Sequence, residues 1–184
     1  MTLRLVTVSG SLRDPSTTSA LLGAIAAEVG AHAAVTAHAV ELGSLASDLA
    51  VAVTGGGASP AVDAALTAVA DADVLVVATP IYRGSYTGLF KVFFDLVHQD
   101  ALEGTPVLLA AGGGNDQHSL AIDHELRPLF AFFRAATAPV GVYARPGDYA
   151  VRPDGAKGVD PAGPLPAAIA RSVASALPLL PSPR

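Results

Sequence analysis

The 184-residue chain has no cysteine, which removes thiol catalysis, thiolate zinc sites and iron–sulfur clusters and fits a reducing compartment. It has only two lysines, Lys91 and Lys157, and a formal charge of −5, so it lacks the clustered basic face that a nucleic-acid partner needs. No apolar stretch reaches the about 18 residues of a membrane span, because Asp, Gly or Pro interrupts each candidate. The first eight residues carry one charge and lead into a strand-like run. They lack the apolar block and cleavage site of a secretory signal. These absences predict a cytoplasmic protein with a small-molecule ligand, and neither nucleic acid nor membrane as partner.

Several catalytic signatures are also missing. Neither lysine lies in a G-x-x-x-x-G-K-[ST] phosphate loop, and Gly10 stands alone where a dinucleotide fingerprint needs three glycines. There is no G-x-S-x-G nucleophile turn. The five histidines are scattered, with no H-E-x-x-H and no paired carboxylates, so no metal is expected.

What remains is a regular alternation of apolar runs and punctuation. Strands are predicted over residues 3–8, 35–40, 74–79, 106–111 and 140–143. Helices are predicted over 18–29, 60–70, 87–98, 119–133 and 165–177. Residues 43–60 are less readable, with Gly55-Gly56-Gly57 marking a mobile or tightly turning connection. Residues 145–166, rich in Gly and Pro, read as a long loop. Pro178, Pro181 and Pro183 cannot continue the last helix. Strands apolar on both faces, alternating with helices, imply a parallel sheet covered on both sides. The expected fold is α/β and three-layered, a doubly wound five-stranded sheet of flavodoxin-like order 2-1-3-4-5, forming one domain over residues 1–184.

In such a sheet, ligands bind at the carboxyl ends of strands, near the switch in strand order. The turns after strands 1, 3 and 4 are also the most unusual segments of the chain. After strand 1, Ser11, Arg13, Ser16, Thr17, Thr18 and Ser19 put five hydroxyls and a guanidinium into nine residues at a helix start. Free N–H groups and the helix dipole favour an anion there, and Arg13 can grip a phosphate. The plainer reading is helix capping, but one cap needs one hydroxyl. With a single glycine, the turn suits a terminal monophosphate better than a pyrophosphate.

After strand 3, Thr79-Pro80-Ile81-Tyr82-Arg83-Gly84-Ser85-Tyr86 holds two of the four tyrosines. Pro80 fixes a turn and Gly84 permits positive φ, so Tyr82 and Tyr86 are expected to flank a planar ring. After strand 4, Gly112-Gly113-Gly114 exposes bare N–H groups to the carbonyl edge of a heterocycle. Lys91 with Asp95, and Asp123 with Arg127, read as surface pairs four apart on a helix. His118 reads as a helix-start or interface residue. In the predicted helix 119–133, Leu126, Phe130 and Phe133 face the sheet. Leu129 and Phe132 lie to the side, and Pro128 imposes a bend or bulge. That apolar surplus predicts a homodimer or homotetramer.

Three motifs in order carry a resemblance: Gly10-Ser11-x-Arg13 with its hydroxyls, Thr79-Pro80-Ile81-Tyr82 through Gly84-Ser85-Tyr86 and Lys91, and Gly113-Gly114-x-x-x-His118. Over about residues 3–143 the chain resembles the NADPH-dependent FMN reductase family, in particular the reductase components of two-component flavin monooxygenases of the alkanesulfonate type. Relatives paired with luciferase-like monooxygenases look closer still. The resemblance implies an FMN phosphate on Ser11, Arg13, Thr18 and Ser19, with Thr17 in the same run. It implies the ring and ribityl chain against Pro80, Ile81, Tyr82, Arg83, Gly84, Ser85 and Tyr86, and the pyrimidine edge at the backbone of Gly113 and Gly114. It departs at Gly112, where the family often has Thr. NADH or NADPH would be co-substrate, no side chain would act as acid or base, and reduced flavin would pass to a partner monooxygenase. An FMN-retaining reductase of quinones, azo compounds or metal oxyanions shares these motifs, as does a flavodoxin-type electron carrier.

Overall fold

The apolar runs do become the centre of a parallel sheet. The structure, a computed structural model, describes residues 2–153 and 155–181; Pro183 lies outside them. Strands β1 (Leu3–Ser9), β2 (Val35–Glu41), β3 (Val74–Pro80) and β4 (Pro106–Gly112) run parallel in the order β2-β1-β3-β4. β3 and β4 are buried along almost their whole length, as strands covered on both faces must be.

Helices form where caps and periodicity agree. α1 (Thr17–His32) opens with the Ser16 hydroxyl accepting from Ser19 N–H at 3.0 Å and buries Thr18, Leu21, Leu22, Ile25 and Val29. After β2 the chain passes through α2 (Ala46–Val51) and a π turn (Ala52–Gly56) with Gly55 at φ 90°, the tight connection that three glycines announce. α3 (Pro60–Ala70) starts with Pro60 behind a Ser59 cap. α4 (Gly88–Leu96) is capped by Thr87, and α6 (Leu165–Ala176) gives way to a short 3-10 turn around Pro178. α1 and α6 cover one face of the sheet, and α2, α3, α4 and the helical segment after β4 cover the other, each over its own apolar core. Three layers result.

The structure corrects the C-terminal third at three places. The single helix expected over 119–133 is a 3-10 turn (Asp116–Leu120), a π turn (Ile122–Leu126) and α5 (Arg127–Phe132). Pro128 sits in the first turn of α5, where its missing N–H is least costly, so the irregularity falls just before it. The fifth strand is two short pieces. β5 (Ala136–Thr137) pairs with the start of β4 and β6 (Val142–Ala144) with its end. Arg127 pins the step between them, donating to Thr137 Oγ1 and Ala138 O at 3.0 Å and Pro139 O at 3.2 Å. Finally, the expected long loop contains an antiparallel hairpin of β7 (Tyr149–Val151) and β8 (Lys157–Val159).

Candidate functional site

The loops after β1, β3 and β4 meet at one edge through backbone bonds. Gly10 N–H donates to Ala78 O at 2.8 Å, Ile81 N–H to Gly112 O at 2.8 Å, and Gly113 N–H to Ala144 O at 3.1 Å. Thr87, the cap of α4, donates its hydroxyl to Gly10 O at 2.9 Å. A Cβ on Gly10 would lie 2.8 Å from Thr79 Oγ1 and 3.0 Å from Phe90. Only glycine allows the first loop to lie this close to the third strand.

The first loop forms a polar cavity of about 310 Å3, lined by Ser11, Arg13, Pro15, Ser16, Thr17 and Thr18 together with Pro80, Tyr82 and Lys157. Ser11 Oγ accepts from Arg13 N–H and donates to Arg13 O, both at 3.1 Å, which folds the turn and leaves the Arg13 side chain outward. Ser19 departs from its expected role. Its hydroxyl donates to Glu41 Oε2 at 2.9 Å and lies 2.8 Å from Ser16 Oγ and 3.2 Å from Ser9 Oγ. It braces the start of α1 and is not among the residues lining the cavity.

In the second loop Tyr82 and Ser85 pair as a two-residue hairpin, N–H to carbonyl at 2.9 and 3.3 Å. Arg83 and Gly84 occupy its centre at φ 55° and 86°, the positive-φ pair such a turn demands. Arg83 is thereby held in the left-handed region, which non-glycine residues rarely adopt. Two side chains sit differently from what a shared ring contact would need. Ile81 is buried in the core, so its side chain faces no cavity. Tyr82 and Tyr86 line different cavities. Tyr82 is half exposed beside the first-loop cavity, whereas Tyr86 turns under the loop, its ring 5.8 Å from Phe90, and faces α5. The chain reverses at Arg83-Gly84 and sets Ser85 opposite Tyr82, so Tyr86, one residue further on, points to the other face.

The third loop lines a second cavity of about 240 Å3 with Gly112, Gly113, Ala144, Arg145, Pro146 and Tyr149. Thr17, Thr18, Pro80 and Lys157 line both cavities, so the two adjoin. Because Gly113 N–H is already bonded to Ala144 O, the N–H free of protein partners among the described residues here is that of Gly114. A side chain at Gly113 would run into Tyr143 and lie 2.8 Å from His118. His118 Nδ1 is buried there without a partner among the described residues. Sequence reasoning missed Arg145, Tyr149 and Lys157. Burial, together with the charge of Asp148, pushes the Tyr149 phenol well up despite a hydrogen bond with Thr17, so it stays protonated. All three lie in a Gly- and Pro-rich stretch with no periodic signal.

A third cavity, about 800 Å3, opens between α4 and α5. Tyr86, Phe94, Val97, Leu129, Phe132 and Phe133 line it, with the Lys91–Asp95 pair, His98, Gln99, His124, Glu125 and Pro128 around them. Ser85 Oγ donates to Glu125 Oε2 at 2.8 Å, tying the second loop to its rim. Leu126, Phe130 and Phe133 are buried as expected, and Phe132 is 65% exposed.

Residues 3–150 match the family model for NADPH-dependent FMN reductase. The chain is 47% identical over 148 residues to the NADH-dependent FMN reductase SfnF of Pseudomonas fluorescens, spanning 80% of this chain and 79% of the relative. It is 51% identical over 142 residues to the NADH-dependent FMN reductase SfnE of Pseudomonas putida, spanning 77% and 76%. A solved oxidoreductase from Corynebacterium diphtheriae superposes with a TM-score of 0.82 at 36% identity, over 97% of both chains.

Proposed function

Because the chain belongs to the NADPH-dependent FMN reductase family, we propose that the two adjoining cavities on the carboxyl edge of the sheet hold FMN. The chain is an FMN reductase that draws hydride from NADH or NADPH. The observation carrying the site is the continuity of the two cavities through Thr17, Thr18, Pro80 and Lys157. The phosphate lies toward Ser11, Arg13, Thr17 and Thr18, and the ring toward Pro80, Tyr82, Gly84, Gly113 and Gly114. The residues present fit the group. Arg13 has no carboxylate partner among the described residues, bare backbone at Gly112 and Gly113 lines the second cavity, and a Cβ at Gly84 or Gly114 would meet only open space.

When bound, the flavin supplies the hydride-accepting centre. The chain binds and orients it: hydroxyls and Arg13 hold the phosphate, and the Gly114 N–H faces the heterocycle's carbonyl edge. The protonated Tyr149 phenol closes one side without a charge. No side chain has to move a proton. The half-exposed Tyr82 leaves the cavity open, as release of reduced flavin requires, and a flavin-dependent monooxygenase is the recipient we propose, in the cytoplasm. A second copy of the chain covers the α4–α5 cavity, giving a homodimer or a dimer of dimers. Steady-state NADH and NADPH oxidation with added free FMN tests the reading: turnover of FMN supports it, and its absence overturns it. Flavin that co-elutes tightly on gel filtration would favour the FMN-retaining reductase over release.

A further inference from the structure

We propose that Lys157, carried by β8, is a second cation for the flavin phosphate beside Arg13, and that the β7–β8 hairpin is the arm that sets it there. The inference rests on reading the adjoining cavities as the FMN site. Lys157 is contributed from 144 positions beyond Arg13, yet both side chains line the same first-loop cavity. Both lack a carboxylate partner among the described residues, as do Arg83, Arg152 and Arg171, but of these five only Arg13 and Lys157 line that cavity; Arg4, Lys91, Arg127, Arg134 and Arg145 are each paired. In a chain of net charge −5, two cations without a carboxylate partner among the described residues, facing one hydroxyl-lined cavity, call for an anion. A terminal phosphate carries about two negative charges near neutral pH, which one arginine alone does not balance.

The arm is docked. Tyr149 and Val159, paired across the hairpin, pack on the core beneath α1 and α6. Asp148 accepts from Arg145 N–H at 2.7 Å, and its carbonyl accepts from Asp160 N–H at 2.9 Å. Residues two apart on a strand share a face, so the contact that seats Val159 against the core turns Lys157 toward the start of α1. On the opposite face, Gly158 is covered by the Arg152 side chain. Lys157 lies past residue 150, where the family match stops, so this cation belongs to the chain's own C-terminal segment and not to the matched motifs.

Binding of FMN and of riboflavin, followed by flavin fluorescence, tests the inference. With Lys157→Gln the Kd for FMN should rise about five- to tenfold, the discounted worth of a charge-assisted contact at an exposed position, while that for riboflavin moves by less than about twofold. Lys157→Arg should keep FMN binding within about twofold, and log Kd against log salt should be shallower for Lys157→Gln than for the wild type. Equal weakening of both flavins would make Lys157 a support of the hairpin and overturn the inference, as would an unchanged FMN Kd. If Arg13→Ala abolishes the preference for FMN and Lys157→Gln leaves it whole, the Lys157 role fails alone. If the wild type itself shows no preference for FMN over riboflavin, the phosphate-site reading fails and this inference with it. Far-ultraviolet circular dichroism of each variant separates these outcomes from misfolding.

Discussion

The cavity between α4 and α5, about 800 Å3, is more than twice the size of either cavity on the carboxyl edge of the sheet, at about 310 and 240 Å3. Its walls are helix side chains, and its lip carries a phenylalanine that is 65% exposed. The smaller cavities are walled by loops whose shape is set by backbone bonds at Gly10, Ile81 and Gly113, and they gather hydroxyls and two cations, Arg13 and Lys157, with no carboxylate partner among the described residues. Size therefore tracks exposed apolar surface, which in our proposal a second copy covers, while the proposed chemistry tracks the places where strands end and backbone groups are fixed. In the proposed assignment, the larger hollow is not the reactive one.

The comparison breaks if a change in one region disturbs the other. The largest effect expected is for Phe94→Ala, because Phe94 lies under the α4–α5 cavity, fully within the core. Its ring centroid is 4.7 Å from Phe90, 5.0 Å from Phe130 and 5.3 Å from Phe93. Losing it should cost about 3–5 kcal/mol, a fall in Tm of about 6–20 °C for a chain of this size. Below that Tm, the ratio of FMN to riboflavin affinity should stay at the wild-type value. A changed ratio would mean the two regions are coupled through the core.

Arg13→Ala is the mirror test. FMN binding should weaken by about 1.5–3 kcal/mol, the range for hydrogen bonds to a charged group, with riboflavin and the oligomeric state untouched. Titration calorimetry with both flavins and light scattering read these separately. Equal losses for both flavins would make Arg13 a brace of its turn and no phosphate ligand.

Phe132→Glu acts on the other side. The wild type should scatter as a dimer or tetramer at micromolar concentration, and the variant should shift toward the 18.4 kDa monomer. The expected weakening is about 1–2 kcal/mol per subunit, from losing partial burial of one aromatic side chain. Thermal stability of the isolated subunit should barely change, since the ring is mostly in solvent already. A wild type that is monomeric with and without FMN would remove the proposed subunit contact.

Much of the sheet's carboxyl edge was legible because it rests on signals that survive in sequence. β3 and β4 are apolar almost throughout and β1 is broken only by Arg4 and Thr7, and each stops at Gly, Pro or Ser. The start of α1 announces itself by hydroxyls. Where the reading failed, the deciding interaction was either short or remote. The strands of the β7–β8 hairpin span three residues each, below any detectable period. The stepped fifth strand depends on one guanidinium reaching three acceptors across 10 to 12 positions. The loss of Gly113 N–H to Ala144, the inward turn of Ser19 toward Glu41 and the burial of Ile81 are consequences of packing, invisible to composition. Lys157 lies in no phosphate-binding motif, and the first-loop residues it meets, Ser11 to Thr18, are more than a hundred positions away in the chain.

The smallest effect lies at the opposite end of the sheet, and it serves as the control for both cavities. Asp73, just before β3, accepts from the Arg4 backbone N–H at 2.8 Å and from the Arg4 guanidinium at 3.3 and 3.4 Å. The side-chain bond to Arg4, then the backbone bond, hold its carboxyl below its ordinary value of 3.8. A carboxyl depressed in the folded state contributes stability that is present above its unfolded value, and that contribution is lost as pH falls through the folded value. Asp73→Asn should thus lower Tm by about 2 °C or less at neutral pH, since ion pairs with one solvent-exposed partner contribute little. The difference between variant and wild type should be flat from about pH 5 to 8 and shrink below about pH 4, and both flavin affinities and the oligomeric state should remain as in the wild type. Melting curves across that range check it: a difference that instead widened in acid would mean the carboxyl is not held low by Arg4.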